Sequence, residues 1–456
     1  MLGKILVLML ALSSMLANAL KIEINRGQIS PDPIAIMDFY GDGGANSQVG
    51  KEISEIIKTD LELSGLFTPI DSKTFLENKQ ALSENGPNIK NWKVLDARFL
   101  LYGKITEGWG SLSVDFALVD VVTGETILSL KVEEKKSRLR KAAHIIADYV
   151  YERITGEKGY FNTTIVYVET SDNRNSSKRK TRLVRVDQDG FNRKTLTNGE
   201  DLVLTPRHSR NSEMLAYISY SDEKRGILGK SAHVYMMNSN SGRRKLMIDK
   251  KLMEMLIKKN HGNPVRMTYA PRFSPNGENA VLAIIIDGKS AIYKINFATN
   301  QLTQLTEHKC IDTSPCFSND GERIVFTSNR HGKEAIYIMG ADGSNQQKIS
   351  GPEGKYSQPV WSPRSDLIAF SKQVGGQFFI GVMKTDGSGE RLIVTQYLAE
   401  APSWASNGRY LAYSGKIGPK NKVTMFVVDI TGHHIRIIPT EKDASYPDWS
   451  PIAVSD

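Results

Sequence analysis

The sequence predicts an α/β N-terminal domain followed by an all-β six-bladed β-propeller, and three observations carry that prediction. The first is a recurring phrase, which reads Ala270-Pro271-Arg272-Phe273-Ser274-Pro275-Asn276-Gly277 and then Ser314-Pro315-Cys316-Phe317-Ser318-Asn319-Asp320-Gly321. It returns as Gln358-Pro359-Val360-Trp361-Ser362-Pro363 and as Ala401-Pro402-Ser403-Trp404-Ala405-Ser406-Asn407-Gly408. A degenerate copy begins at Thr205-Pro206, and a last one is Tyr446-Pro447-Asp448-Trp449-Ser450-Pro451. The prolines stand at 206, 271, 315, 359, 402 and 447, at intervals of 65, 44, 44, 43 and 45. A fixed period in this range is the mark of a repeat architecture. The second observation is that one period holds four β-rich runs, at 313–318, 323–328, 335–339 and 346–349. Asn319-Asp320-Gly321 and Ala341-Asp342-Gly343 join them as hairpin turns, because Gly accepts a positive φ without steric cost. Four strands in about 44 residues is the size of one propeller blade. The third is closure: the third-strand phrase occurs six times, at 183–186, 234–237, 292–295, 336–339, 380–383 and 426–429. The first has no Pro phrase before it, and the last Pro phrase has no third strand after it. Pairing 447–453 with 163–196 completes both and leaves no open sheet edge.

From the N-terminus, Lys4 precedes an apolar run at 5–12, and Ala17-Asn18-Ala19 supplies small residues for cleavage before Leu20. Residues 1–19 thus read as a secretory signal peptide. A membrane anchor is the alternative, but it needs roughly 20 apolar residues, and Ser13 and Ser14 interrupt the run. The 456 residues are 40% apolar and 24% charged, a globular composition. Two cysteines exclude a disulfide-dense scaffold or a Cys-rich zinc module. A formal charge of +9 permits an acidic partner without demanding nucleic acid.

Residues 20–160 read as the α/β domain, opened by a partner-binding strand, and 161–456 as the propeller. A buried strand is expected at 33–39, then the loop Gly41-Asp42-Gly43-Gly44. Val49, Ile53, Ile56, Ile57 and Leu61 line one face of a helix at 47–64, with Gly65 as its stop. Strands follow at 98–105, 112–122 and 126–132, the last two joined at Thr123-Gly124-Glu125. A second helix at 139–154 turns Ala142, Ala143, Ile146, Tyr149 and Val150 inward and stops at Gly156.

Catalytic signatures are missing. The Gly41–Gly44 loop has neither G-x-G-x-x-G nor a Gly-Lys-Ser/Thr end, so a plain strand-to-helix turn is the better account. Gly387-Ser388-Gly389 lacks the nucleophile-elbow spacing. No H-E-x-x-H occurs, and His433-His434 point apart in extended geometry. Cys310 and Cys316 are either a pair or two separate thiols. Phe273, Phe317, Trp361, Trp404 and Trp449 hold one place in every repeat, which packing between blades explains better than carbohydrate stacking. The Asp-Gly pairs lack alternating acidic ligands, so turn geometry accounts for them rather than calcium. No cofactor or metal is expected. A lyase or peptidase in the central channel is the competing class, yet first-strand positions there are Arg272, Cys316, Val360, Ser403 and Asp448, which make no mechanism.

Strand direction gathers the loops before each Pro and the second-to-third loops at one mouth, and the Asp-Gly turns at the other. The long first interval places its excess, 220–230 and 249–263, on the pre-proline mouth, as does the basic loop 172–182. Such a rim suits an acidic protein surface, or is simply solvated; nucleic acid is not expected, because stacking aromatics are not interleaved.

A propeller of Pro-x-Phe/Trp-Ser-Pro-Asn/Asp-Gly repeats after a small α/β domain resembles the TolB family of the Tol–Pal envelope system. Lys21-Ile22-Glu23-Ile24 leading into Pro33-Ile34-Ala35-Ile36, and Asp96-Ala97-Arg98-Phe99-Leu100-Leu101-Tyr102-Gly103, extend the resemblance to the N-terminal domain. It implies a non-catalytic periplasmic protein that binds the lipoprotein Pal at the propeller mouth and TolA through its mature N-terminus. It further implies a role in outer-membrane integrity and in invagination during cell division, membrane contact only through partners, and a monomer. Carried over, Ala270 and Thr313 match family Pal-contact positions, whereas Met267 stands where relatives can have His, so a hydrogen bond there would be lost. Loop geometry adds Thr205, Asp312, Ser357, Gln358, Glu400 and Tyr446 to the Pal-binding set. Leu20, Lys21, Ile22, Glu23 and Ile24 form the expected TolA-binding strand, whose alternation suits edge addition.

Overall fold

A computed structural model describes residues 30–171, 180–209, 214–221, 231–263, 265–267 and 271–452. The expected signal peptide and the TolA-binding strand fall outside these residues. In the N-terminal domain, strand β1 (Asp32–Ile36) is followed by helix α1 (Gln48–Leu63), β2 (Phe67–Pro69), α2 (Lys79–Asn85) and α3 (Ile89–Val94). Strands β3 (Phe99–Glu107), β4 (Ser111–Asp120) and β5 (Glu125–Lys135) and helix α4 (Leu139–Thr155) complete it. The five strands form one sheet in the order β2-β1-β3-β4-β5. Ser47 caps α1 by accepting from the Gly50 N–H at 3.0 Å, as a Ser at that position should. Helices α2 and α3 have no counterpart in the sequence reading, since seven and six residues carry too few turns to show a periodic face.

One inward assignment is wrong. Tyr149 is 43% exposed, and Tyr151 is fully buried instead. Helix α4 is wedged between α1 and the aromatic link Tyr160–Phe161, so its apolar stripe turns towards Tyr151, whose ring centroid lies 6.0 and 5.6 Å from those two.

The remaining strands make six blades around an axis, five of them plain four-stranded sheets. In the third blade the first strand is split into Val265–Met267 and Arg272–Phe273, both paired with Asn279–Ile286. Ring closure follows the sequence reading: Asp443–Trp449 pairs antiparallel with Thr164–Thr170, in a sheet that Thr181–Asp187 and Lys194–Thr195 complete. Ser450 seals the joint, its N–H donating to the Thr164 carbonyl and its Oγ accepting from the Thr164 N–H.

Both domains share one hydrophobic core, which runs from Ile53 and Ile57 on α1 through Tyr160 to Tyr410 and Trp449 of the propeller. The Tyr410 hydroxyl donates to the Ser64 carbonyl at 2.7 Å. Gly65, at φ +71°, ends α1 and also lets His434 approach, for a Cβ there would come within 2.8 Å of its ring. Beside this core lies a buried polar lock. Asp60 on α1 meets His144 Nδ1 at 2.6 Å and accepts from the Gln188 side chain at 2.8 Å. Arg140 reaches Asp187 and Asp189, and Arg436 donates to the Gln188 carbonyl and side-chain oxygen. Burial opposes the His144 imidazolium, but Asp60, Asp187 and Asp189 outweigh it and raise its pKa from 6.5 to about 10.

A raised folded-state pKa stabilises fully below the unfolded value and fades as pH climbs through the folded one. Between pH 6.5 and 10 the protein should therefore lose stability that a His144→Gln variant does not lose. Urea unfolding across that range tests it, and parallel pH profiles for the two proteins would refute the charged lock.

Candidate functional site: the pre-proline mouth

The chain repeats one local device around the propeller's first strands. Thr205, Ser314, Gln358, Ala401 and Tyr446, each immediately before a proline, have φ between +47° and +56°. The pairing of each strand with its neighbour slips at the same point, between Thr313 and Cys316, Ser357 and Val360, Glu400 and Ser403, and Ser445 and Asp448. The second blade shows it opposite Ala216 and Ile218. Proline has no N–H to give the ladder, so the strand bulges there, and the residue before it turns left-handed. Such a backbone costs of order 1–3 kcal/mol per non-Gly residue and persists only where its surroundings hold it. They do: Gln358 Oε1 accepts from the Ala401 N–H at 2.7 Å and from Ser371 Oγ at 3.0 Å, tying two blades. The Tyr446 N–H donates to Ser414 Oγ at 2.9 Å.

These bulges face one end of the propeller, and the N-terminal domain occupies the other. Its contacts fall on the Asp-Gly-turn end: Glu157 pairs with Arg364 and Arg409, the Lys158 carbonyl accepts from Asn407, and His434 meets the Leu63 carbonyl. At the pre-proline end, the insertion at 249–263 forms helix α5 (Lys250–Lys259), capped by Asp249. It buries Leu252 and Leu256 and exposes Lys250, Lys251, Lys258 and Lys259. Residues 172–179 and 222–230 of the other expected rim loops fall outside the described residues.

The anticipated contact residues separate into two groups. Thr313, Ser357, Gln358, Glu400 and Tyr446 are partly accessible. Thr205 and Asp312 are buried, so their side chains support the mouth from below. Asp312 takes two hydrogen bonds from Arg330 Nη2, at 3.1 and 3.3 Å, and one from the Cys310 thiol. Arg330 is a rim residue that sequence reasoning missed, since nothing in the repeat marks an Arg after the second strand. Partly accessible Ser314 was missed too, because the contact set took the residue two before proline in that blade, whereas Ala401 is buried. Met267 sits in strand opposite Ile284, and Ala270 falls outside the described residues. The Glu400 carboxylate makes no hydrogen bond or ion pair among the described residues, and burial pushes its pKa above the usual value.

Other features resolve as packing. Trp404 Nε1 donates to the Val360 carbonyl of the preceding blade, Trp449 Nε1 donates to Thr163, and Arg323 lies over the Trp361 ring. Cys310 and Cys316 are separate free thiols. Asp60, His144 and Asp189 are close enough together to hold a metal ion, but Arg140 and Gln188 already engage the two carboxylates. No helix among the described residues is long and apolar enough to cross a membrane.

Comparison with known proteins covers nearly all of this architecture. Residues 20–127 match the TolB amino-terminal domain, and residues 151–453 match the TolB beta propeller domain. The Tol-Pal system protein TolB of Rickettsia rickettsii, in strains Sheila Smith and Iowa, is 38% identical over 444 residues, 94% of this chain and 94% of the relative. The crystal structure of TolB from Acinetobacter baumannii superposes with a TM-score of 0.78 at 23% identity, covering 92% of this chain and 97% of that one. At that identity the superposition speaks for the fold alone.

The bulged ring makes its own prediction. Gln358→Ala removes the acceptor shared by Ala401 and Ser371, and an orphaned buried donor costs about 1–3 kcal/mol. Thermal unfolding should shift down accordingly, and an unchanged midpoint would mean that the bulges hold themselves.

Proposed function

The chain belongs to the TolB family of Tol–Pal system proteins, and from that premise we propose that it is a non-catalytic periplasmic scaffold. It binds the peptidoglycan-associated lipoprotein Pal at the pre-proline mouth and TolA through Leu20, Lys21, Ile22, Glu23 and Ile24 once the signal peptide is removed. Acting as a monomer, it supports outer-membrane integrity and invagination during division. One observation carries the reading: the N-terminal domain packs against the Asp-Gly-turn end, which leaves the ring of left-handed pre-proline residues for a partner. A partner would meet a rigid backbone rim, so little ordering entropy is lost on docking. Glu400 gives that rim one carboxylate awaiting a donor.

A lyase or peptidase in the channel is less well supported. His208 and Asp448 do pair there, at 3.0 Å. However, the Cys316 thiol turns to the Phe317 carbonyl, and no hydrogen bond joins it to His208 among the described residues.

Calorimetric titration of residues 20–456 with the soluble domain of Pal should give one-to-one binding. Thr313→Arg, on the accessible rim, should abolish it with native thermal stability retained; full affinity in that variant would move the interface elsewhere. Deleting residues 20–31 should abolish TolA binding and spare the propeller, and unchanged TolA affinity would refute the N-terminal assignment.

A further inference from the structure

The residue after each repeat proline points to the axis, and together these residues form a ring: Asp448, Arg207, Arg272, Cys316, Val360 and Ser403. The degenerate second repeat supplies Arg207, which sequence reading left out of the channel. The ring therefore holds two guanidiniums and one carboxylate. Asp448 cannot satisfy both. Its Oδ2 is already taken by the His208 N–H at 2.6 Å and by His208 Nδ1 at 3.0 Å. Its Oδ1 lies 3.7 Å from Arg207 and 3.9 Å from Arg272, beyond hydrogen-bond reach of either. Among the described residues the Arg207 guanidinium donates only to the adjoining Pro206 carbonyl, and the Arg272 guanidinium donates no hydrogen bond.

Burial of its guanidinium, and then the charge of Arg272, lower the Arg207 pKa to about 10. The two Arg face a cavity of about 520 Å³, a size typical of sites for small organic molecules. Phe273, Phe317, Trp361, Trp404 and Trp449 supply its apolar wall. A cation has no place beside this excess of positive charge, and a neutral ligand would leave the guanidinium forks unpaired.

We propose that the propeller channel is a binding site for a small organic carboxylate, whose oxygens bridge Arg207 and Arg272 while its hydrocarbon lies against the aromatic wall. Guanidinium forks accept carboxylate and phosphate alike; the aromatic wall is what favours the organic anion.

The test uses residues 20–456, with 3-phenylpropanoate and inorganic phosphate titrated separately at an ionic strength matched with sodium chloride. Phenylpropanoate should bind one-to-one, at least tenfold more tightly than phosphate, and Arg272→Gln should weaken it at least tenfold. Arg272→Lys, which keeps the charge but not the fork, should fall between. Wild-type protein offers a second readout that needs no variant: Cys316 lines the cavity and Cys310 does not. Bound phenylpropanoate should slow alkylation of Cys316 severalfold, measured by peptide mass spectrometry, and leave Cys310 unchanged. Phosphate binding as tightly as phenylpropanoate would overturn the carboxylate assignment. Undiminished binding in Arg272→Gln, or unprotected Cys316 at saturation, would overturn the site.

Discussion

Pairing of Asp443–Trp449 with Thr164–Thr170 is the constraint on which the rest of the molecule depends. It joins strands nearly 280 residues apart in the chain, and until it forms the propeller is an open arc with two exposed edges. Loop closure over such a length is entropically costly, though the cost grows only slowly with length. Closure returns more than the ladder. Trp449 packs on Tyr160, and Asp448 enters the channel beside Arg207 and Arg272. The same strand carries the Tyr446 bulge at the mouth. One strand thus completes the ring, the domain interface, the bulged mouth and the ring of side chains in the channel.

The domain interface is built differently from the blades. Within the propeller, repetition of one strand phrase sets an aromatic side chain at the same place in five of the six blades, packed between neighbouring blades. Between the domains there is no repetition, and a mixed apolar and ionic lock fixes the arrangement. Buried ionic groups carry a desolvation cost that their pairing must offset. Here three carboxylates share His144 and Arg140, and Gln188 links them to Arg436. That lock holds the N-terminal domain at one end of the propeller and thereby leaves the pre-proline end uncovered by it.

Much of this was legible in the sequence because repetition converts weak local signals into a strong one. A single Asn-Asp-Gly turn says little, whereas five prolines at near-constant spacing, from Pro271 to Pro447, identify a blade, and the count of repeats identifies its closure. Helix α1 was legible for a similar reason, with an apolar stripe and a Gly stop in agreement. Short α2 and α3 offered no such agreement. Tyr149 was misassigned because periodicity finds a face of α4 but cannot tell that a second layer, around Tyr160 and Phe161, packs against the adjoining face.

By itself the sequence determined helices α1 and α4, the four-stranded repeat, the blade count, the ring closure and the mouth on which the pre-proline residues gather. All of these follow from local backbone chemistry repeated at a fixed period. Only the tertiary structure decided which mouth residues are accessible, since the burial of Asp312 under Arg330 depends on side chains that no motif links. It alone revealed the left-handed residues before the prolines, because that conformation is imposed by the bulge and by neighbouring blades such as the one bearing Gln358. The charge of the channel belongs there too. Arg207, Arg272 and Asp448 are far apart in the chain, and they meet because a closed ring turns the same position of every repeat towards one axis.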